Sequence, residues 1–137
     1  MSIQEIEKEI INDFSAFEEW TDKYEYIIEF GKSLPQMDIS VKTEDKKVSG
    51  CQSQVWLDTS YKDGRVYYEA DSDAIITKGL VGLLVKVLSG QKPQDIIDAR
   101  LEFIDKIGMK EHLSMTRANG LVNMIKHMKQ DAGKYFI

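Results

Sequence analysis

Of 137 residues, one is cysteine, two are proline and two are histidine. A single thiol, Cys51, excludes an internal disulfide and any metal site built on paired cysteines. What stays open to it is a one-thiol role: inert core filler, nucleophile, group carrier or redox cap. A basic excess is also missing. Eighteen Lys and Arg face 23 Asp and Glu, mixed along the chain, for a net charge of −5. That argues against nucleic acid as a partner, because phosphate binding needs a concentrated basic surface. The most apolar segment, Ala74 to Leu88, contains Lys78 and Lys86 and is too short for a bilayer core of about 30 Å, so it predicts a buried helix. The N-terminus, Met1 to Glu7, has no basic region followed by an apolar run, and it is too acidic for an organellar transit peptide. No repeat, low-complexity stretch or Pro-rich linker divides the chain, so residues 1–137 are expected to form a single domain. An unpaired cysteine and no export signal suit a cytoplasmic setting.

What is present reads as α+β. Ser2-Ile3-Gln4-Glu5 fits a capping box, and Ile3, Ile6, Ile10, Phe14 and Phe17 recur at helical steps. A second helix is expected from about Asp22 to Ser33, with Tyr24, Ile27, Ile28 and Gly31 inward, ended by Leu34-Pro35. Residues 36–47 read as a polar surface loop. From Gln54 to Tyr61 apolar and polar residues alternate; Asp63-Gly64 supplies a turn, and Arg65 to Ala70 returns as the second strand of a hairpin. A third strand from about Lys46 to Ser49 is expected beside it, because an isolated hairpin is only marginally stable. Asp71-Ser72-Asp73 would cap the long apolar helix, in which Gly79 and Gly82 predict close backbone packing. Pro93 opens another helix, reaching roughly Ile104, and Gly108 is a stop. Ser114 or Thr116 caps a final helix with Leu121, Met124, Ile125 and Met128 at core spacing; the methionines read as core filler. The architecture expected is a short three-stranded antiparallel sheet covered on one face by helices.

Candidate chemistry is sparse. A Cys–His hydrolase would need a base beside the thiol, and nothing in the sequence brings His112 or His127 to Cys51. One cysteine with two scattered histidines lacks the short paired spacings of a zinc site, and neither G-x-x-x-x-G-K-[ST] nor G-x-G-x-x-G occurs. No bound cofactor or metal is indicated. Cys51 itself follows Gly50 in a polar link between expected strands, a poor place for core packing and a good one for reaction. Arg117, near an Asn-Gly pair that interrupts a helical stretch, is either a solvated helix-start residue or a cation reaching the cysteine loop. In the second case it would favour the thiolate over the thiol.

Gly50-Cys51-Gln52-Ser53-Gln54-Val55-Trp56 heads a longer set: Ala70-Asp71-Ser72-Asp73-Ala74, Lys78-Gly79-Leu80, and Leu113-Ser114 through Arg117-Ala118-Asn119-Gly120-Leu121. With Trp20, Tyr24 and Gly31-Lys32-Ser33-Leu34-Pro35, this set resembles the SufE family of sulfur-acceptor proteins in iron–sulfur cluster assembly, including its CsdE branch. Met115 departs from the pattern, standing where many members would carry proline. The resemblance implies a fold shared with IscU-type scaffolds and a role for Cys51 as acceptor of persulfide sulfur. That sulfur would come from a cysteine desulfurase of the SufS or CsdA type, stimulated in the exchange, and pass on to a Suf-type cluster scaffold. It further implies supporting roles for Arg117, Gly50, Gln52, Ser53 and Asp73. Pyridoxal phosphate would sit on the desulfurase; this chain would carry no cofactor, turn over nothing alone, and bind neither nucleic acid nor membrane. An alternative keeps Cys51 incidental, the chain acting as a non-catalytic adaptor that activates the desulfurase allosterically.

Overall fold

The computed structural model describes residues 1–50 and 53–136, with the backbone only for Lys110; Cys51 and Gln52 lie outside the described residues. Helix α1 (Ile3–Ser15) starts at the expected capping box. Ser2 Oγ accepts the Glu5 N–H, and Glu5 reaches back to the Ser2 N–H at 3.2 Å. Ile3, Ile6, Ile10 and Phe14 form its buried stripe. Helix α2 (Trp20–Lys32) buries Ile27 and Gly31, and Ser33 closes it just before Leu34-Pro35. Strands β1 (Val55–Lys62) and β2 (Arg65–Ser72) pair antiparallel through the Asp63-Gly64 turn, where both residues have positive φ (51° and 78°). That backbone suits the right-handed twist of a two-residue hairpin.

Three expectations are corrected. The sheet has two strands among the described residues, and the third is reduced to one bridge between Lys47 and Trp56. Glu44–Lys46 coils into a 3₁₀ turn before that bridge, the Val48 N–H reaches the Val55 carbonyl at 2.9 Å, and Gly50 at φ +82° then turns the chain away. There is length for one rung of ladder and no more. Next, β2 runs two residues past Ala70, so Asp71 and Ser72 belong to the strand, and α3 (Ile75–Leu88) starts at Ala74 without a side-chain cap. The acids are used elsewhere: Asp71 pairs with Lys42 and, at 3.2 Å, with Lys78, while Asp73 binds the Gln54 backbone. Finally, the helix expected from Pro93 to Ile104 is two helices, α4 (Pro93–Asp98) and α5 (Phe103–Lys106). Between them Ala99 is extended and Leu101 takes φ +54° so that its side chain can enter the core.

Helix α6 (Met115–Gly133) is capped by Ser114, whose Oγ accepts the Arg117 N–H at 3.2 Å. It buries Leu121, Met124, Met128 and Ala132. Its C-terminal half is tied to the sheet: the Tyr68 hydroxyl donates to the Met128 carbonyl at 2.7 Å, and Thr59 Oγ1 donates to Asp131 at 2.7 Å. Helix α3 packs against α2 at its glycines. A Cβ on Gly79 would meet the Ile27 carbonyl oxygen at 2.5 Å, and one on Gly82 would meet that of Phe30 at 2.5 Å. Helices α3 and α6 thus cover the inner face of the hairpin, where Val55, Leu57, Val66, Tyr68 and Ala70 are buried. Among the described residues no helix is long and apolar enough to cross a membrane.

Candidate functional site

The chain enters the cysteine motif at Gly50 and leaves it at Ser53 and Gln54, and both shoulders are fixed. On the entry side the Asn123 amide of α6 donates to the Gly50 carbonyl at 3.1 Å. Gly50 is required there twice over. Its φ of +82° disfavours a side chain, and a Cβ would sit 2.1 Å from Asn123 Nδ2. On the exit side Asp73 clasps Gln54 with two bonds: the Gln54 N–H donates to Asp73 Oδ1 at 3.0 Å, and the Asp73 N–H donates to the Gln54 carbonyl at 3.2 Å. Of the residues expected to support Cys51, Gly50, Ser53, Asp73 and Arg117 are therefore described; Cys51 and Gln52 lie outside the described residues.

Beside these shoulders lies a cavity of about 80 Å³. Ser53 and Val55 form one wall, Thr77, Leu80 and Val81 of α3 a second, and the first three turns of α6 the third, from Thr116 and Arg117 to Gly120, Leu121 and Met124. Val55, Leu80, Val81, Leu121 and Met124 make its apolar half, and Ser53, Thr77, Thr116 and Arg117 are the polar residues of the lining. Ser53 and Arg117, 64 positions apart in sequence, thus share one cavity, as a cation reaching the cysteine loop requires. Arg117 is exposed and pairs with no carboxylate among the described residues. The open amide end of α6 adds positive potential on the same wall. A larger groove of about 530 Å³ runs between α1 and α5, but no residue flanking Cys51 lines it.

Below the hairpin's outer face, Asp71 stands directly across from Trp56 in the β1–β2 register and is 8% exposed. Burial alone would raise its carboxyl. Lys42, the Ser72 N–H and Lys78 outweigh that and hold it below the usual carboxylate range. The Lys42 and Lys47 ammonium groups lie 5.2 and 6.0 Å from the Trp56 ring. These ties brace the strand that follows the cysteine motif.

Neither histidine lines the cavity. His112 stacks on Trp20 with centroids 3.5 Å apart, and His127 lies 3.6 Å from Asp131 beside Thr59 and Lys134. Among the described residues no three His, Cys, Asp or Glu side chains are grouped to hold a metal ion. Nothing in the sequence singled out Asn123 or Thr77, and it marks Thr116 only as a candidate helix cap. In α6, Thr116, Gly120 and Asn123 follow at steps of four and three, one stripe of the helix, but short and polar residues at that spacing carry no signal until the facing loop is known.

A family model described as SufE, Fe-S metabolism associated domain, matches residues 8–132. An uncharacterized SufE-like protein of Rhizobium meliloti is 45% identical over 130 residues, covering 90% of this chain and 92% of the relative. The SufE-like protein 1 of Arabidopsis thaliana, named as chloroplastic/mitochondrial, is 43% identical over 126 residues; the match spans 91% of this chain and 34% of that longer protein. An uncharacterized SufE-like protein of Synechocystis is 37% identical over 123 residues, covering 90% of this chain and 77% of the relative. Among solved structures, the solution structure of a hypothetical protein from Thermus thermophilus superposes with a TM-score of 0.78 over 94% of both chains, at 20% identity. That last likeness establishes the α+β fold.

Proposed function

Since this chain belongs to the SufE family and so to iron–sulfur metabolism, we propose that it is a sulfur acceptor and carrier working through Cys51. The Cys51 thiolate attacks the outer sulfur of a persulfide on a cysteine desulfurase. The partner's S–S bond breaks, its thiolate leaves, and the transferred sulfur remains on this chain as Cys51–S–SH. No external oxidant or reductant is needed, because the sulfane sulfur keeps its oxidation state and the electron pair leaves with the partner's thiolate. A second exchange of the same kind hands the sulfur to a cluster scaffold. Removing sulfur from the desulfurase frees it for another turnover, which is the stimulation expected.

The observation that carries this reading is the cavity shared by Ser53, two residues past Cys51, and Arg117. Thiol exchange needs thiolate, access and a good leaving group. A guanidinium with no carboxylate partner among the described residues and the amide end of α6 supply a field that lowers a thiol pKa from about 8.5. The cavity offers a small, partly apolar volume beside the motif. The single-cysteine composition fits as well, since a second thiol in the chain would discharge the persulfide as sulfide.

Cys51→Ser tests the proposal against the adaptor alternative. The variant is expected to keep the circular dichroism spectrum of the parent and to lose stimulation of a partner desulfurase. Mass spectrometry of the parent after mixing with desulfurase and cysteine should show one added sulfur on Cys51. Full stimulation by Cys51→Ser would sink the carrier mechanism and leave the adaptor.

A further inference from the structure

The six methionines divide by exposure into two groups. Met37, Met109, Met124 and Met128 are buried, none more than 3% exposed, whereas Met115 is 81% exposed and Met1 66%. Met115 is the first residue of α6, directly after the Ser114 cap and directly before Thr116 and Arg117 on the cavity wall. Neither packing nor capping accounts for it, since water covers most of the side chain and Ser114 Oγ already accepts the Arg117 N–H. Ile75 is placed in the same way. It is 63% exposed at the start of α3, two residues before Thr77 on another wall of that cavity. Both helices that wall the cavity therefore begin with a large apolar side chain in water. A single exposed apolar residue is ordinary. Met115 differs from Ile75 in its chemistry, because a thioether can be oxidised and an aliphatic chain cannot.

We propose that Met115 is a reversible oxidation site on the rim of the cavity, taking one oxygen atom from a hydroperoxide. The thioether sulfur attacks the terminal peroxide oxygen; an S–O bond forms and the O–O bond breaks. Sulfur gives up two electrons, and hydrogen peroxide, the simplest such oxidant, leaves as water. Thiol-dependent sulfoxide reduction restores the thioether. Burial withholds the four core methionines from an oxidant in solution, so the reaction is selective while the chain is folded.

The product is polar and chiral where a flexible apolar chain stood. Its effect on a partner rests on the sulfur-acceptor reading, in which a desulfurase docks over the motif beside this cavity. Thioether side chains adapt to the shape of a partner surface, and oxidation removes that apolar contact. Oxidation at Met115 then weakens docking without touching the thiol.

The site is tested on the full-length protein, with Cys51 held as a mixed disulfide, by treatment with hydrogen peroxide and peptide mass spectrometry. Met115 is expected to gain oxygen at least about tenfold faster than Met37, Met109, Met124 and Met128, with Met1 as the exposed control. A Met115 rate no faster than that of the buried four, in protein with an unchanged circular dichroism spectrum, overturns the proposal. Two variants test the consequence: Met115→Gln places a polar group of similar length there, and Met115→Leu stays apolar. Titrated into a desulfurase with cysteine, Met115→Gln should raise the half-stimulating concentration about three- to tenfold at unchanged maximal stimulation, while Met115→Leu follows the parent. A glutamine curve that coincides with the parent's refutes the docking effect. Absence of any stimulation by the parent would end the sulfur-acceptor reading and the docking effect with it, and the peroxide result would still decide the oxidation site.

Discussion

Gly82→Ala sets two rules of helix energetics against each other. Helix propensity favours alanine over glycine by about 0.8–1.0 kcal/mol in a helix interior. The packing of α3 on α2 opposes it. The new methyl would sit 2.5 Å from the Phe30 carbonyl oxygen, 2.6 Å from its carbonyl carbon and 3.0 Å from the Gly31 nitrogen. All three are backbone atoms, so no side chain can rotate aside, and reaching ordinary contact requires the helices to part by about 0.9 Å. Overpacking a dense interior costs about 1–3 kcal/mol, and an encounter with rigid backbone belongs at the upper end. The net expectation is a loss of about 2 kcal/mol, a fall in Tm of about 6–10 °C for a chain of this size. Thermal and urea unfolding measure it, with Gly133→Ala as contrast, because nothing lies within 4 Å of a Cβ there. That variant should be neutral or stabilised by up to about 1 kcal/mol. If Gly82→Ala melted at or above the parent temperature, close backbone packing would not be the reason for glycine. The wall of the cavity beside Ser53 would then be less constrained than the geometry implies, since Leu80 and Val81 lie in the same turn of α3.

Two further outcomes follow from charge. Asp71→Asn removes the carboxylate shared by Lys42 and Lys78; both lysines keep partial access to water, so the loss at neutral pH should be about 1–2 kcal/mol, read from urea unfolding. The folded pKa of Asp71 lies below its unfolded value of about 3.9, so its contribution is present above that value and is lost as pH falls through the folded pKa. The gap between parent and variant should therefore narrow in acid, and a gap that stayed constant would show that the charge is not its source. Arg117→Ala should move the midpoint of the Cys51 alkylation profile to higher pH and slow sulfur uptake from a desulfurase; an unchanged midpoint would remove Arg117 from the site.

Local rules made much of the fold legible. The capping box at Ser2, the Asp63-Gly64 turn, the alternation in β1 and the glycine spacing in α3 each follow from a few neighbouring residues, and each stands where expected. The departures have separate causes, and in the first a residue suited to a local role is taken by a tertiary partner. Asp71 and Asp73 have the composition of helix caps, yet Lys42, Lys78 and the Gln54 amide claim them. Leu101 breaks a helical run because the core accepts its side chain only with φ +54°, a cost no local pattern announces. The third strand failed for lack of length between a 3₁₀ turn and Gly50. Arg117 was readable as a candidate because family motifs mark it, whereas Asn123 acquires meaning only from Gly50, 73 positions away.

That division also accounts for how the site is built. On the proposed reading, a sulfur carrier must protect its cargo in solution and give it up on contact with a partner. One rigid element cannot supply both, because the same geometry would have to hide and present the thiol. Here the strong ties sit at a distance: α6 is bound to the sheet through buried Tyr68 and through Thr59 and Asp131 in its last turns. The α3 wall is held on α2 by glycine packing that tolerates no added methyl. Among the described residues close to the cysteine motif the ties are exposed, an amide on the Gly50 carbonyl on one side and the two-bond Asp73–Gln54 clasp on the other. Exposed hydrogen bonds contribute little net stability, since water replaces them at small cost. On that reading, a docking surface that competes for them would loosen Gly50 and Gln54 without disturbing the frame that carries Arg117 and the cavity walls.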